Sequence, residues 1–60
     1  MMYWVIQVVK GSYYAYGYKS YKSAEMRFSK VQGGEVFLHQ SHETDPVKAV
    51  DEFKAGQIRR

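Results

Sequence analysis

His39 and His42 stand three residues apart in the stretch HQSHE. That spacing puts two imidazoles on one side of a helix but on opposite faces of a strand. Here His39 reads as part of a strand and His42 as the loop beyond it. With no third nitrogen or sulfur ligand nearby, two surface histidines are expected, and no metal. Ser12, Ser20, Ser23, Ser29 and Ser41 sit in no strand-to-helix elbow where a base could activate them. Asp51 and Glu52 are adjacent on a helix that turns them to water, so they make no acid–base pair. Gly33–Gly34 is not followed by Lys and Ser or Thr and leads into no helix, so it reads as a turn and not a phosphate loop. The chain is therefore expected to be non-catalytic, with no cofactor and no small-molecule substrate.

The other cluster that could do chemistry is aromatic. SYYAYGYKSYK, Ser12 to Lys22, holds five of the six tyrosines. A tyrosine ring brings large contact area at low rotamer cost and keeps a hydroxyl for hydrogen bonding, which suits a binding surface. Lys19 and Lys22 flank Tyr18 and Tyr21, with Lys10 and Lys30 placed to join a basic rim. The competing reading is that tyrosines are good strand formers whose hydroxyls simply face water.

Sixty residues make one domain, residues 1–60, that buries only about 60% of the surface its unfolded form exposes, and there is no cysteine to staple it. Residues 1–30 carry Lys10, Lys19, Lys22, Arg27 and Lys30 against Glu25 alone, a balance of +4. Residues 31–58 carry Lys48 and Lys54 against Glu35, Glu43, Asp45, Asp51 and Glu52, a balance of −3. A basic half next to tyrosines suits an acidic partner, nucleic acid included, but at a net charge of +3 an ordinary solvated surface is the expected reading. Met1–Val9 is apolar but interrupted by Gln7, lacks a basic lead-in and is too short to span a membrane. A soluble, cytoplasmic protein without a membrane partner is expected.

The elements that must position these residues read as ββββα. Residues 2–10 are rich in β-branched and aromatic side chains and form a first strand. Gly11–Ser12 suits a two-residue turn, and residues 13–20 alternate tyrosine with small residues as a second strand. Residues 24–31 alternate loosely and read as a third strand, Gln32–Gly33–Gly34 as a turn, and residues 35–40 as a fourth. Asp45 caps a helix over residues 46–55, with Pro46 at its first position and Gly56 as its stop. Val47, Val50 and Phe53 form its apolar stripe, and Arg59 and Arg60 complement its negative end. The expected fold is α+β: a four-stranded antiparallel β-meander with one C-terminal α-helix packed on one face.

Alternation then sorts the side chains. The Gly11–Ser12 turn pairs Val9 with Tyr14, Gln7 with Tyr16 and Val5 with Tyr18, so Tyr3, Val5, Tyr14, Tyr16 and Tyr18 share a face. Trp4, Ile6 and Val8 share the other with Ala15 and Gly17, whose small size lets the helix approach. A three-residue second turn adds Met26, Phe28, Val36 and Leu38 to that core, and Val31 and Phe37 to the tyrosine face. One helix covers one face only, so the tyrosine face is expected to be bare and to bind. The candidate partner-binding residues are Tyr3, Val5, Tyr14, Tyr16, Tyr18, Lys19, Tyr21, Lys22 and Phe37. A protein partner is expected over nucleic acid, with two copies packing tyrosine face to tyrosine face as a homodimer. Small cysteine-free chains of this kind are used by phages and mobile elements to block or redirect a host protein. The alternative is a single-stranded nucleic-acid binder that stacks bases on the same rings.

Overall fold

The computed structural model describes the backbone of residues 1–58 and the side chains of residues 1–56; Arg59 and Arg60 lie outside it. The chain runs β1 (Met2–Val9), β2 (Ser12–Tyr18), α1 (Tyr21–Lys30), β3 (Glu35–Ser41) and α2 (Pro46–Ile58). The three strands form one antiparallel sheet in the order β2-β1-β3.

The fold thus differs from the four-stranded meander in one element, because residues 24–31 are not a strand. Ser20 stays extended and caps α1, its hydroxyl 3.5 Å from the Ser23 N–H and its carbonyl 3.1 Å from the Ala24 N–H. Ala, Glu, Met, Arg and Lys are strong helix formers, and Tyr21, Ala24 and Phe28 recur at helical spacing. The loose alternation of Met26 and Phe28 is the weaker signal. Arg27 and Lys30 lie in the last turn, where positive charge complements the helix dipole. Without a strand at 24–31 there is no second hairpin. Instead α1 carries the chain from β2 at one edge to β3 at the other, and β3 pairs with β1.

The first turn is Lys10–Gly11, one residue earlier than expected, with φ of 50° and 82°. Positive φ at both central positions is the type I′ geometry that matches the twist of a hairpin. The pairs become Gln7 with Tyr14, Val5 with Tyr16 and Tyr3 with Tyr18. Moving a turn by one residue moves the register by two, so every side chain keeps its expected face.

That face is not bare. α1 crosses it, burying Ala24 and Val5 completely. Gln7 supports the crossing by donating from Nε2 to the Gln32 and Gly33 carbonyls at 3.0 and 3.1 Å. On the opposite face α2 packs over Trp4 and Ile6 with Ala49 and Phe53, all buried. Phe37 belongs here: it pairs with Ile6, and its ring lies 5.1 Å from that of Phe53. Val36 and Leu38 take the α1 side instead, because their partners are Gln7 and Val5. Asp45 caps α2 as expected, accepting from the Val47 N–H at 2.9 Å. Gly56 does not stop the helix, which continues through it to Ile58 with no positive φ at that residue.

Candidate interaction surface

Two hollows flank α1. On one side, Tyr3, Tyr21, Leu38, His39 and Gln40 line a groove of about 140 Å³ between the start of the helix and β3. The Tyr3 and Tyr21 rings meet edge to face, with centroids 5.6 Å apart and planes at 72°. Tyr21 is 52% exposed, and Leu38 and Phe28 are each 38% exposed. Phe28 follows Tyr21 by two turns, so it extends the same apolar stripe.

On the other side of the helix, Tyr18, Ser23, Met26, Arg27 and Lys30 border a second, wider hollow. Arg27 lies across the tyrosine strand there. Its Nε donates to the Tyr18 hydroxyl at 2.8 Å, and its guanidinium carbon stands 4.7 Å above the Tyr16 ring. The Tyr18 hydrogen bond, more than any other contact, raises the Arg27 pKa further. Residues 19–30 carry Lys19, Lys22, Arg27 and Lys30 against Glu25 alone, so this layer is basic. The α2 layer opposes it with Glu43, Asp45, Asp51 and Glu52 against Lys48 and Lys54.

The predicted site residues therefore separate. Tyr3 and Tyr21 meet in the groove, and Lys19 and Lys22 are exposed on the loop and helix that follow β2. Tyr16 and Tyr18 are held by Arg27, and Tyr14 is 49% exposed towards the sheet edge. Val5 is fully buried beneath α1, and Phe37 packs, partly buried, against the α2 core on the face away from the tyrosines. Leu38, Phe28 and Arg27 were not anticipated. The helical stripe from Tyr21 to Phe28 signals Phe28, whereas Leu38 takes its face from its pairing with Val5 and Arg27 its place from α1 crossing β2.

A third cluster joins β3 to α2. Glu52 Oε1 lies 2.7 Å from His39 Nε2, and the buried Ser41 hydroxyl accepts from the Glu43 N–H at 2.9 Å. Hydrogen bonding from Ser41, and then from His39, lowers the Glu52 pKa. In a nucleophilic triad the imidazole stands between hydroxyl and carboxylate. Here the contact of Glu52 with His39 ties α2 to β3, and the Ser41 hydroxyl is engaged by the Glu43 N–H. Among the described residues no group of three His, Cys, Asp or Glu side chains could hold a metal ion. Among the same residues no helix is long and apolar enough to cross a membrane. No protein-family model matches the chain, nor does any curated protein or solved structure.

Proposed function

We propose that this chain is a small non-catalytic binding module that captures an acidic segment of a partner protein in the groove between α1 and β3. The observation that carries this reading is the groove itself. Tyr3, Tyr21 and Leu38 form its apolar walls, and two of the three are more than a third exposed. Residues 19–30 carry Lys19, Lys22, Arg27 and Lys30 against Glu25, and this net positive charge on the α1 layer steers an acidic segment towards the apolar anchors. A binder of this kind can block or redirect the protein it holds, as an inhibitor of phage or mobile-element type does.

Single-stranded nucleic acid is the competing partner, since the same lysines suit phosphate. Base stacking, however, needs free ring faces. The Tyr16 face is occupied by Arg27, and Tyr3 is covered at one side by Tyr21, so a protein segment is favoured.

The test is affinity capture from nuclease-treated lysate with the wild-type chain and with Tyr21→Ser, Leu38→Ser. Both side chains are exposed enough for the fold to survive. A protein captured by the wild type and lost with the double variant is the expected result. Capture indifferent to both changes would overturn the reading. So would tight binding of a labelled single-stranded oligonucleotide that weakens steeply with salt.

A further inference from the structure

β2 is an edge strand with β1 on one side only. In a two-residue hairpin the flanking pair, here Val9 and Ser12, exchanges both backbone bonds, and bonded and unbonded pairs then alternate. Ser12, Tyr14, Tyr16 and Tyr18 therefore turn their backbone groups towards β1. Tyr13, Ala15 and Gly17 turn theirs outward, and among the described residues no loop, cap or side chain takes them.

Natural sheets protect such an edge with charge, proline or a bulge. β2 has none: Ser12–Tyr18 is uncharged, proline-free and paired without interruption. Tyr14 is also singular. Among the described residues the other five tyrosines each have an aromatic, cationic or hydrogen-bonding partner. Tyr14 has none and is 49% exposed. On the opposite face, Val47 is 68% exposed and, with Val50, Tyr13 and Ala15, borders a hollow of about 300 Å³ along the same edge, which Asp51 and Lys54 of α2 also line.

We propose that β2 pairs with β2 of a second copy, antiparallel about a two-fold axis at Ala15, to make a continuous six-stranded sheet. The strand is complementary to itself in this register. Ala15 meets Ala15, and each Tyr13 faces a Gly17 that offers no competing side chain. Each of these three pairs exchanges two backbone bonds, six in all. Tyr14 then stands directly opposite Tyr16 of the second copy, in the closer, unbonded type of pair where side chains interact most. The same axis brings the Val47 and Val50 stripe of one copy towards that of the other. A second copy fits better than an unrelated strand because backbone pairing, tyrosine pairing and the exposed valines are all met by one symmetry operation. This edge is distinct from the groove beside β3, so dimerisation and partner capture fail independently.

Light scattering and amide hydrogen exchange on the whole chain test the proposal together. The expected mass is twice the 7.0 kDa of one chain. The Tyr13, Ala15 and Gly17 amides should gain about tenfold or more protection as protein concentration rises through the dimerisation range. Ala15→Pro removes an N–H that the single chain leaves unbonded, and Val47→Glu places like charges near the axis without touching the core. Each should yield a monomer with the far-ultraviolet dichroism of the wild type. If Ala15→Pro fails to fold, Val47→Glu carries the comparison alone. A wild-type chain that stays monomeric at high concentration would overturn the proposal. A dimer whose three edge amides exchange freely would do so too, since it must use another surface, and so would a dimer that survives both changes.

Discussion

Gly17→Ala should be destabilising, although glycine in a strand is ordinarily a weak residue. A Cβ built on Gly17 falls 2.7 and 2.8 Å from two carbons of the Trp4 indole and 3.0 Å from the Met2 methyl. Ordinary carbon contacts need about 3.5–4.0 Å, so the ring would have to retreat by roughly 0.8 Å. It has little freedom to do so. Trp4 is 3% exposed, packs with Ile6, Ala49 and Phe53, and donates from Nε1 to the Glu43 carbonyl at 2.9 Å. Overpacking of this kind costs about 1–3 kcal/mol. Weakening the Glu43 hydrogen bond adds about 1 kcal/mol. Against this, alanine restricts the unfolded chain and returns about 0.4–1 kcal/mol. The balance is a loss of about 1–3 kcal/mol.

For a domain of this size each kcal/mol moves Tm by about 4–8 °C, so a fall of roughly 5–20 °C is expected. Thermal and urea unfolding at one fixed protein concentration measure it, with near-ultraviolet dichroism reporting on the tryptophan. The same substitution in a Trp4→Phe background supplies the control, because the smaller ring leaves room for the methyl. There the penalty should shrink, giving a coupling of about 0.5–3 kcal/mol. A Gly17→Ala chain as stable as wild type would refute the reasoning. An equal loss in both backgrounds would show that the indole is not what the methyl meets.

Two further changes test the turn and the β3–α2 tie. Lys10→Asn should stabilise the hairpin by about 0.5–1 kcal/mol, since asparagine tolerates the left-handed conformation better than lysine, which here adopts a φ of 50°. A neutral or lowered urea midpoint would contradict the type I′ assignment. Glu52 has a folded-state pKa below its unfolded value, so its contribution is complete above the ordinary glutamate pKa and is lost as pH falls through the lowered one. Stability measured from about pH 6 to about pH 2.5 should therefore fall less steeply for Glu52→Gln than for wild type, and parallel curves would remove the tie.

Much of the fold was legible because its signals were local. The β-branched run of β1, the alternation of β2 and the Asp45–Pro46 start of α2 each state their own conformation. Face assignment in the first hairpin was robust for a geometric reason, since a one-residue shift of the turn preserves parity. Residues 24–31 carried two periods at once, Met26 with Phe28 at two and Tyr21, Ala24 and Phe28 at three to four. Helix propensity and the Ser20 cap decide between them, and a glycine pair after residue 31 argues misleadingly for a hairpin. That one element then moved everything nonlocal. Phe37 and Leu38 exchanged faces because β3 takes its register from β1. The tyrosine face acquired a cover, and with it the groove that no stretch of sequence contains by itself.

The tyrosines consequently do not act as one aromatic surface. Tyr16 and Tyr18 anchor Arg27 and so fix α1 across the sheet. Tyr13 stands beneath Lys54 of α2, whose amine is 4.7 Å from its ring centre. Tyr3 and Tyr21 meet across the β1–α1 junction and form the wall of the groove. Among the described residues five of the six therefore stabilise layer contacts that a chain without disulfides needs, and Tyr14 alone has no such duty. A substitution series can separate these uses. Loss of Tyr16 or Tyr18 should loosen α1 and disturb partner capture indirectly, whereas loss of Tyr14 should leave both the monomer fold and the groove intact. Whatever Tyr14→Ala changes must then come from the outer edge of β2. That makes this residue the cleanest discriminator between a surface that recognises another protein and one that recognises itself.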